Sequence, residues 1–80
     1  MKIKTLFFGI TSDLIGENQL DFVLENNLSI KDFKQFLIDE HPSIENINSY
    51  AIAVNEEYAE DDLILKENDV VAIIPPVSGG

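Results

Sequence analysis

Asp69-Val70-Val71-Ala72-Ile73-Ile74-Pro75-Pro76 joins five consecutive apolar residues to a pair of prolines. A run of strand length that is apolar on both faces suits a strand buried in the middle of a sheet. Glu67-Asn68-Asp69 before it reads as a turn, and Asn68 can adopt the left-handed conformation there. After it, neither proline can donate a ladder hydrogen bond, and both favour the extended polyproline conformation. Regular pairing should therefore stop at Ile74. This divides the chain into a body, residues 1–74, and a flexible projecting tail, residues 75–80.

A central strand needs neighbours, and the N-terminal segment supplies two. Lys2 to Phe8 alternates so that Ile3, Thr5 and Phe7 share one face and Lys2, Lys4, Leu6 and Phe8 the other. The second face changes from charged to apolar along its length. A loop from Gly9 to about Asn18 is expected next. Leu20, Phe22 and Leu24 then alternate with Gln19, Asp21 and Val23 as a second strand that pairs with the first.

The period changes at Ser29. Ile30, Phe33, Phe36 and Leu37 fall at helical spacing, and Ser29 with Asp32 three residues later is an acidic variant of the capping box. The spacing predicts a helix from Ile30 to about Glu40, stopped by Pro42. His41, the only histidine, stands where it complements the helix dipole when protonated. A linker carrying Ile44 and Ile47 leads to a short buried strand over Tyr50 to Val54. Asn55-Glu56-Glu57 is a turn, and Tyr58 begins a brief return strand. Leu63 and Leu65 add apolar contacts. The order strand, strand, helix, strand, short strand, strand describes an α+β roll with one helix on one face of a mixed sheet, most specifically a β-grasp.

At 80 residues and 45% apolar content the chain makes one domain with a single modest core. It has no cysteine, so no disulfide or thiolate metal site supports that core, and no side-chain thiol can carry sulfur, form a thioester or act as a nucleophile. Fifteen acidic residues against five lysines give a net charge of -10, which repels phosphate backbones and suits a basic protein partner better than nucleic acid. The apolar stretch Leu6-Phe7-Phe8 is too short for a signal peptide or a membrane span, which sets a cytoplasmic chain as the expectation.

The search for catalytic groups is nearly empty. One histidine without cysteine forms no Cys-His pair, and phosphate loops, dinucleotide fingerprints and zinc spacings are missing from the sequence. Glu56-Glu57 and Asp61-Asp62 read as turn and surface residues, and Glu60, Asp61 and Asp62 lack the glycine-punctuated spacing of a calcium loop. No metal site is expected, and the body reads as non-enzymatic.

The tail differs in kind. Two glycines at the last two positions arise by chance in roughly 0.5% of chains at average glycine usage. Extended at about 3.1 to 3.5 Å per residue, Pro75 to Gly80 reaches about 20 Å, enough to enter a partner's cleft. Val77, Ser78 and Gly79 would thread the passage. Glycine lacks a Cβ, so it passes a narrow channel and leaves the terminal carbonyl of Gly80 unhindered. A free carboxylate is inert toward attack, so Gly80 needs activation, most simply as an acyl adenylate made from ATP by another enzyme.

These features together resemble the small, sulfur-carrying subunit of molybdopterin synthase, the MoaD family of ubiquitin-like proteins. The likeness covers nearly the whole chain and is strongest over Ala72-Ile73-Ile74-Pro75-Pro76-Val77-Ser78-Gly79-Gly80. Leu6-Phe7-Phe8, Ala53-Val54-Asn55 and Asp69-Val70-Val71-Ala72 support it. Thr11-Ser12-Asp13 stands where the family often has an Arg-Glu pair, and Asn68 where it often has glycine.

The resemblance implies that an E1-like enzyme adenylates Gly80 and that a sulfur donor protein converts the carboxylate to a thiocarboxylate. The larger, catalytic synthase subunit then takes the tail, in an expected assembly of two carriers and two large subunits. There the thiocarboxylate donates sulfur to cyclic pyranopterin monophosphate. No cofactor is bound by the carrier itself. Under this scheme Leu6 and Phe8 join Pro75, Pro76 and Val77 in an apolar docking patch. Three other readings stand beside it: a carrier for thiamine synthesis or another thiolation pathway, a protein modifier ending as an isopeptide on a lysine, and an acidic interaction module.

Overall fold

The computed structural model describes residues 1–76, apart from the side chain of Asn48. Its sheet has five strands: β1 (Lys2–Phe7), β2 (Gln19–Val23), β3 (Ala51–Val54), β4 (Glu57–Tyr58) and β5 (Val70–Ile74), in the order β2-β1-β5-β3-β4. The apolar run thus occupies the centre, where both of its backbone edges are paired. β5 lies parallel to β1 and antiparallel to β3, and β1–β2 and β3–β4 are antiparallel. Two helices, α1 (Ile10–Ile15) and α2 (Ile30–Glu40), complete the α+β, β-grasp architecture.

The inward residues of β1 and β5 alternate as strand geometry requires. Ile3, Thr5 and Phe7 are buried on β1, and Val71 and Ile73 on β5. They meet Ile30, Phe33 and Leu37, which share one stripe of α2 at intervals of three and four residues. α2 begins where expected. The Ser29 side chain accepts a hydrogen bond from the Asp32 amide at 3.1 Å, satisfying one donor that the first helical turn leaves open. The edge-on rings of Phe22 and Phe33, 6.0 Å apart, and of Phe22 and Phe36, 5.2 Å apart, clamp β2 to the helix.

Two segments expected as irregular are ordered instead. Within the Gly9–Asn18 loop, α1 forms between Gly9 and Gly16. Six residues do not hold a helix alone in water, so tertiary contacts must supply its stability. Buried Thr11 faces the body, the Gly16 amide closes the helix on the Ser12 carbonyl at 2.8 Å, and the Ser43 hydroxyl reaches the Leu14 carbonyl at 3.0 Å. The linker after α2 is also helical, a kinked 3₁₀ segment over Pro42–Ser49 whose Ile44 and Ile47 are fully buried. Their three-residue spacing puts both on one side of a 3₁₀ turn, which closes the end of the core.

The left-handed conformation read from sequence at Asn68 is present, and two further residues share it. Asn68 has φ 68°, and Asn55 and Glu56 have φ 52° and 73°, the paired left-handed geometry of a tight hairpin between β3 and β4. Asn55 is held by its surroundings. Its side chain donates to Asp69 and accepts from the Val70 amide, both at 3.0 Å, tying the hairpin to the start of β5.

One core position carries a cost. Thr5 is fully buried, and its hydroxyl has no hydrogen-bond partner among the described residues. Thr5→Val keeps the shape and removes the unsatisfied group, so it should raise stability by about 1 kcal/mol, measured by urea unfolding.

Candidate docking face and tail root

α2 and the Pro42–Ser49 segment cover one face of the sheet and leave the other open. On that open face, register brings together residues far apart in sequence: Leu6 opposite Ala72, Ala53 opposite both Ala72 and Tyr58, and Ala51 opposite Ile74. The result is an apolar patch of Leu6, Val70, Ala72, Ile74 and Tyr58, with Phe8 at the end of β1. Leu6 is half-buried, Phe8 is 48% exposed and Tyr58 80% exposed. Large aromatics this open are the anchors that protein interfaces use, because they bury much area with few rotatable bonds.

A shallow groove runs through the patch, lined by Leu6, Phe8, Val70 and Ala72 and rimmed by Asn55 and Glu56. Farther down β1, Lys4 faces Asp21 across the strands and Lys2 faces Val23. The face is therefore apolar toward the Phe8 end of β1 and charged toward the other. This matches the change read along the outward side of the first strand.

β5 leads directly from this face to the tail. Pro75 is half-buried and Pro76 exposed. The Phe8 amide donates to the Ile73 carbonyl at 3.3 Å, so the exposed aromatic at the end of β1 is tied to the last residues of β5 before the prolines. Of the expected site residues, Leu6, Phe8, Pro75 and Pro76 lie in this region. Val77, Ser78, Gly79 and Gly80 lie outside the described residues.

Sequence reading missed Val70, Ala72, Ile74 and Tyr58 as members of the patch. Alternation along the apolar run assigns the first three to one face. Which face stays open, and that Leu6 and Tyr58 share it, depends on strand pairing. Among the described residues no group of His, Cys, Asp and Glu could hold a metal ion, and no helix is long and apolar enough to cross a membrane.

Comparison with known proteins agrees with this geometry. The ThiS family model matches residues 5–80. The molybdopterin synthase sulfur carrier subunit of Chlamydomonas reinhardtii is 36% identical over 83 residues, covering the whole of both chains. Among solved structures, the SAMP1 protein of Haloferax volcanii superposes with a TM-score of 0.87 over the whole of both chains, and at 19% identity it attests the fold alone. A complex of subunits 1 and 2 of the molybdopterin-converting factor from Helicobacter pylori contains a chain that matches at 27% identity and a TM-score of 0.72, again over the whole of both chains. With a β-grasp body, an open apolar face leading to a Gly-Gly end and full-length likeness to such carriers, the chain belongs to the ThiS family, as a ubiquitin-like sulfur carrier of the MoaD type.

Proposed function

We propose that this protein is the sulfur-carrier subunit of a molybdopterin synthase, with Gly80 as the group that reacts. The observation that carries the reading is the continuity of β5 with the tail: the strand at the centre of the open apolar face ends at Ile74 and runs directly into Pro75-Pro76. A partner gripping the face therefore receives the residues beyond Pro76 at the edge of its own surface. The body supplies recognition, and the terminus supplies chemistry.

The sequence of steps follows from carboxylate reactivity. An E1-like enzyme joins the Gly80 carboxylate to the α-phosphate of ATP with release of pyrophosphate. The outer sulfur of a donor protein's persulfide then attacks the adenylate carbonyl and expels AMP, and a second thiol of the donor cleaves the resulting acyl disulfide, leaving the thiocarboxylate on Gly80 and a disulfide on the donor. The large subunit binds the open face, takes the tail through Val77, Ser78 and Gly79, and directs the thiocarboxylate sulfur to cyclic pyranopterin monophosphate. Water then attacks the Gly80 carbonyl and breaks its bond to the transferred sulfur, so the carrier leaves as the carboxylate, ready for another cycle. Its own side chains perform no catalytic step, in keeping with a chain that has no cysteine. Two carriers and two large subunits make the proposed assembly, and the cytoplasm, where ATP is abundant, is the proposed setting.

Intact-mass measurement tests the reading directly. After incubation with the activating enzyme, ATP and a sulfur donor, one oxygen at the C-terminus should be replaced by sulfur, and the product should convert the precursor when the large subunit is added. A stable adduct on target lysines with no sulfur incorporated would overturn it.

Docking has its own test. Phe8→Ser removes an exposed aromatic anchor without touching the core, so affinity for the large subunit should fall about tenfold or more while the thermal unfolding midpoint holds. Calorimetric titration reads the first quantity and circular dichroism the second.

A further inference from the structure

The turn between β3 and β4 holds a residue that its backbone does not favour. Asn55 and Glu56 both lie in the left-handed region, with φ 52° and 73°. A tight hairpin of that geometry prefers glycine at the second position, because a side chain there crowds the backbone carbonyl. Here the second position is a glutamate. Residues kept in sparsely populated conformations cluster at sites that bind or react, where the side chain does something that glycine cannot.

What Glu56 can do follows from its neighbours. With Leu6, Phe8, Asn55, Val70 and Ala72 it lines the groove on the open face, so only Asn55 and Glu56 bring polar side chains to that groove. Both ends of the Asn55 amide are engaged, by the Asp69 carboxylate and by the Val70 amide. Among the described residues the only ion pair joins Lys34 to Asp61, so the exposed Glu56 carboxylate has no cationic partner. Lys4 stands opposite Val70 on the same face, but it borders the adjoining hollow with Lys2 and Asp21. An apolar floor with one free carboxylate at its rim complements a side chain with an apolar stem and a cationic head, the chemistry of arginine and lysine.

We infer that Glu56 is a specificity-determining residue for docking: it pairs with the cationic head of an arginine or lysine of the large subunit whose stem lies along Leu6, Val70 and Ala72. The inference rests on the sulfur-carrier reading above. Arginine suits the site better, because its planar fork takes both carboxylate oxygens at once. A partner seated on the face removes water from the pair, so loss of either charge is more damaging than at an open surface. The net charge of -10 draws a basic surface in from a distance, and Glu56 fixes where one positive group lands.

Calorimetric titration of the large subunit with wild type, Glu56→Gln, Glu56→Gly and Glu45→Gln tests the pairing. Glu56→Gln keeps the length of the side chain and removes its charge, so Kd should rise about tenfold or more and depend less steeply on salt. Glu45→Gln makes the same charge change on the Pro42–Ser49 segment, which covers the opposite face, and should stay within about twofold of wild type. Glu56→Gly should bind as weakly as Glu56→Gln with a urea midpoint at or above that of wild type, since glycine takes the left-handed conformation without strain. A residue kept for the turn alone would show a lower midpoint at unchanged affinity, and that result overturns the inference. So would equal losses from Glu56→Gln and Glu45→Gln.

Butylguanidinium, a cation on a short apolar stem, probes the groove on the isolated protein. It should shift the backbone amide resonances of Leu6, Glu56 and Ala72, and Glu56→Gln should abolish those shifts. Neutral butylurea, of similar shape, should cause none. Equal shifts from both compounds, or none from either, refute the inference. Failure of the wild-type carrier to bind the large subunit, with the butylguanidinium response intact, would instead overturn the functional reading.

Discussion

Deletion of Gly80 should abolish sulfur loading and transfer, a loss of at least about a thousandfold, while leaving the folded body unchanged. No side chain can take over the terminal carboxylate's role, because the chain contains no cysteine. The carboxylate left on Gly79 would stop about 3.3 Å short of the position that the partner's active site addresses. Adding a residue after Gly80 should be equally damaging, since the carbonyl at Gly80 becomes an unreactive amide. Unfolding midpoints should stay constant in both variants, because the last paired strand, β5, ends at Ile74. Intact mass and product formation from the pyranopterin precursor measure the effect, and full transfer by the deleted form would refute the assignment of Gly80.

The largest expected effect on stability is at Phe33. Its side chain is 1% exposed and packs edge-on against Phe22 and stacked against Phe36, where α2 meets the sheet. Phe33→Ala removes the ring and leaves a cavity between elements that cannot fully collapse, at a cost of about 3 to 5 kcal/mol. A domain of this size is stable by roughly 4 to 12 kcal/mol in total, so much of that reserve disappears. Urea unfolding should show a lower midpoint with a similar slope, and docking should weaken only as far as the folded fraction falls. A midpoint unchanged from wild type would contradict this account of the core.

Together these variants separate the two halves of the molecule's work. Phe33→Ala injures the body and spares the chemistry of the terminus, whereas loss of Gly80 does the reverse. Phe8→Ser should lie between, weakening affinity for the large subunit alone.

Much of the fold was legible because its signals are local. The helix α2 was placed from Ile30 to about Glu40 by the Ser29 cap and by Pro42, since capping and the loss of a backbone donor act within a few positions. The central place of β5 followed from five apolar residues in a row, and the hairpin at Asn55 from its turn residues. The short helix α1 and the 3₁₀ segment were not legible in the same way. Neither is long enough to be stable alone, and each forms because the other and the core hold it.

The open apolar face divides along the same line. Phe8 and Leu6 stood out because they are apolar on the outward side of a strand whose other outward residues are charged. Tyr58, Ile74 and Ala72 did not, because their membership depends on which strands pair and in what register.

Residue types and their spacing along the chain determined the element order, the caps, the central strand and the Gly-Gly end that points to a carried group. The parallel pairing of β1 with β5 was decided only in the folded molecule, and with it the apolar face, the ordering of α1 and the close approach of Pro75 to Gly9. The reason is the range of the interactions. Periodicity and capping are set within a turn or two of chain, whereas Leu6 meets Ala72 and Gly9 meets Pro75 only when the sheet closes over the core and brings the two ends of the sequence side by side.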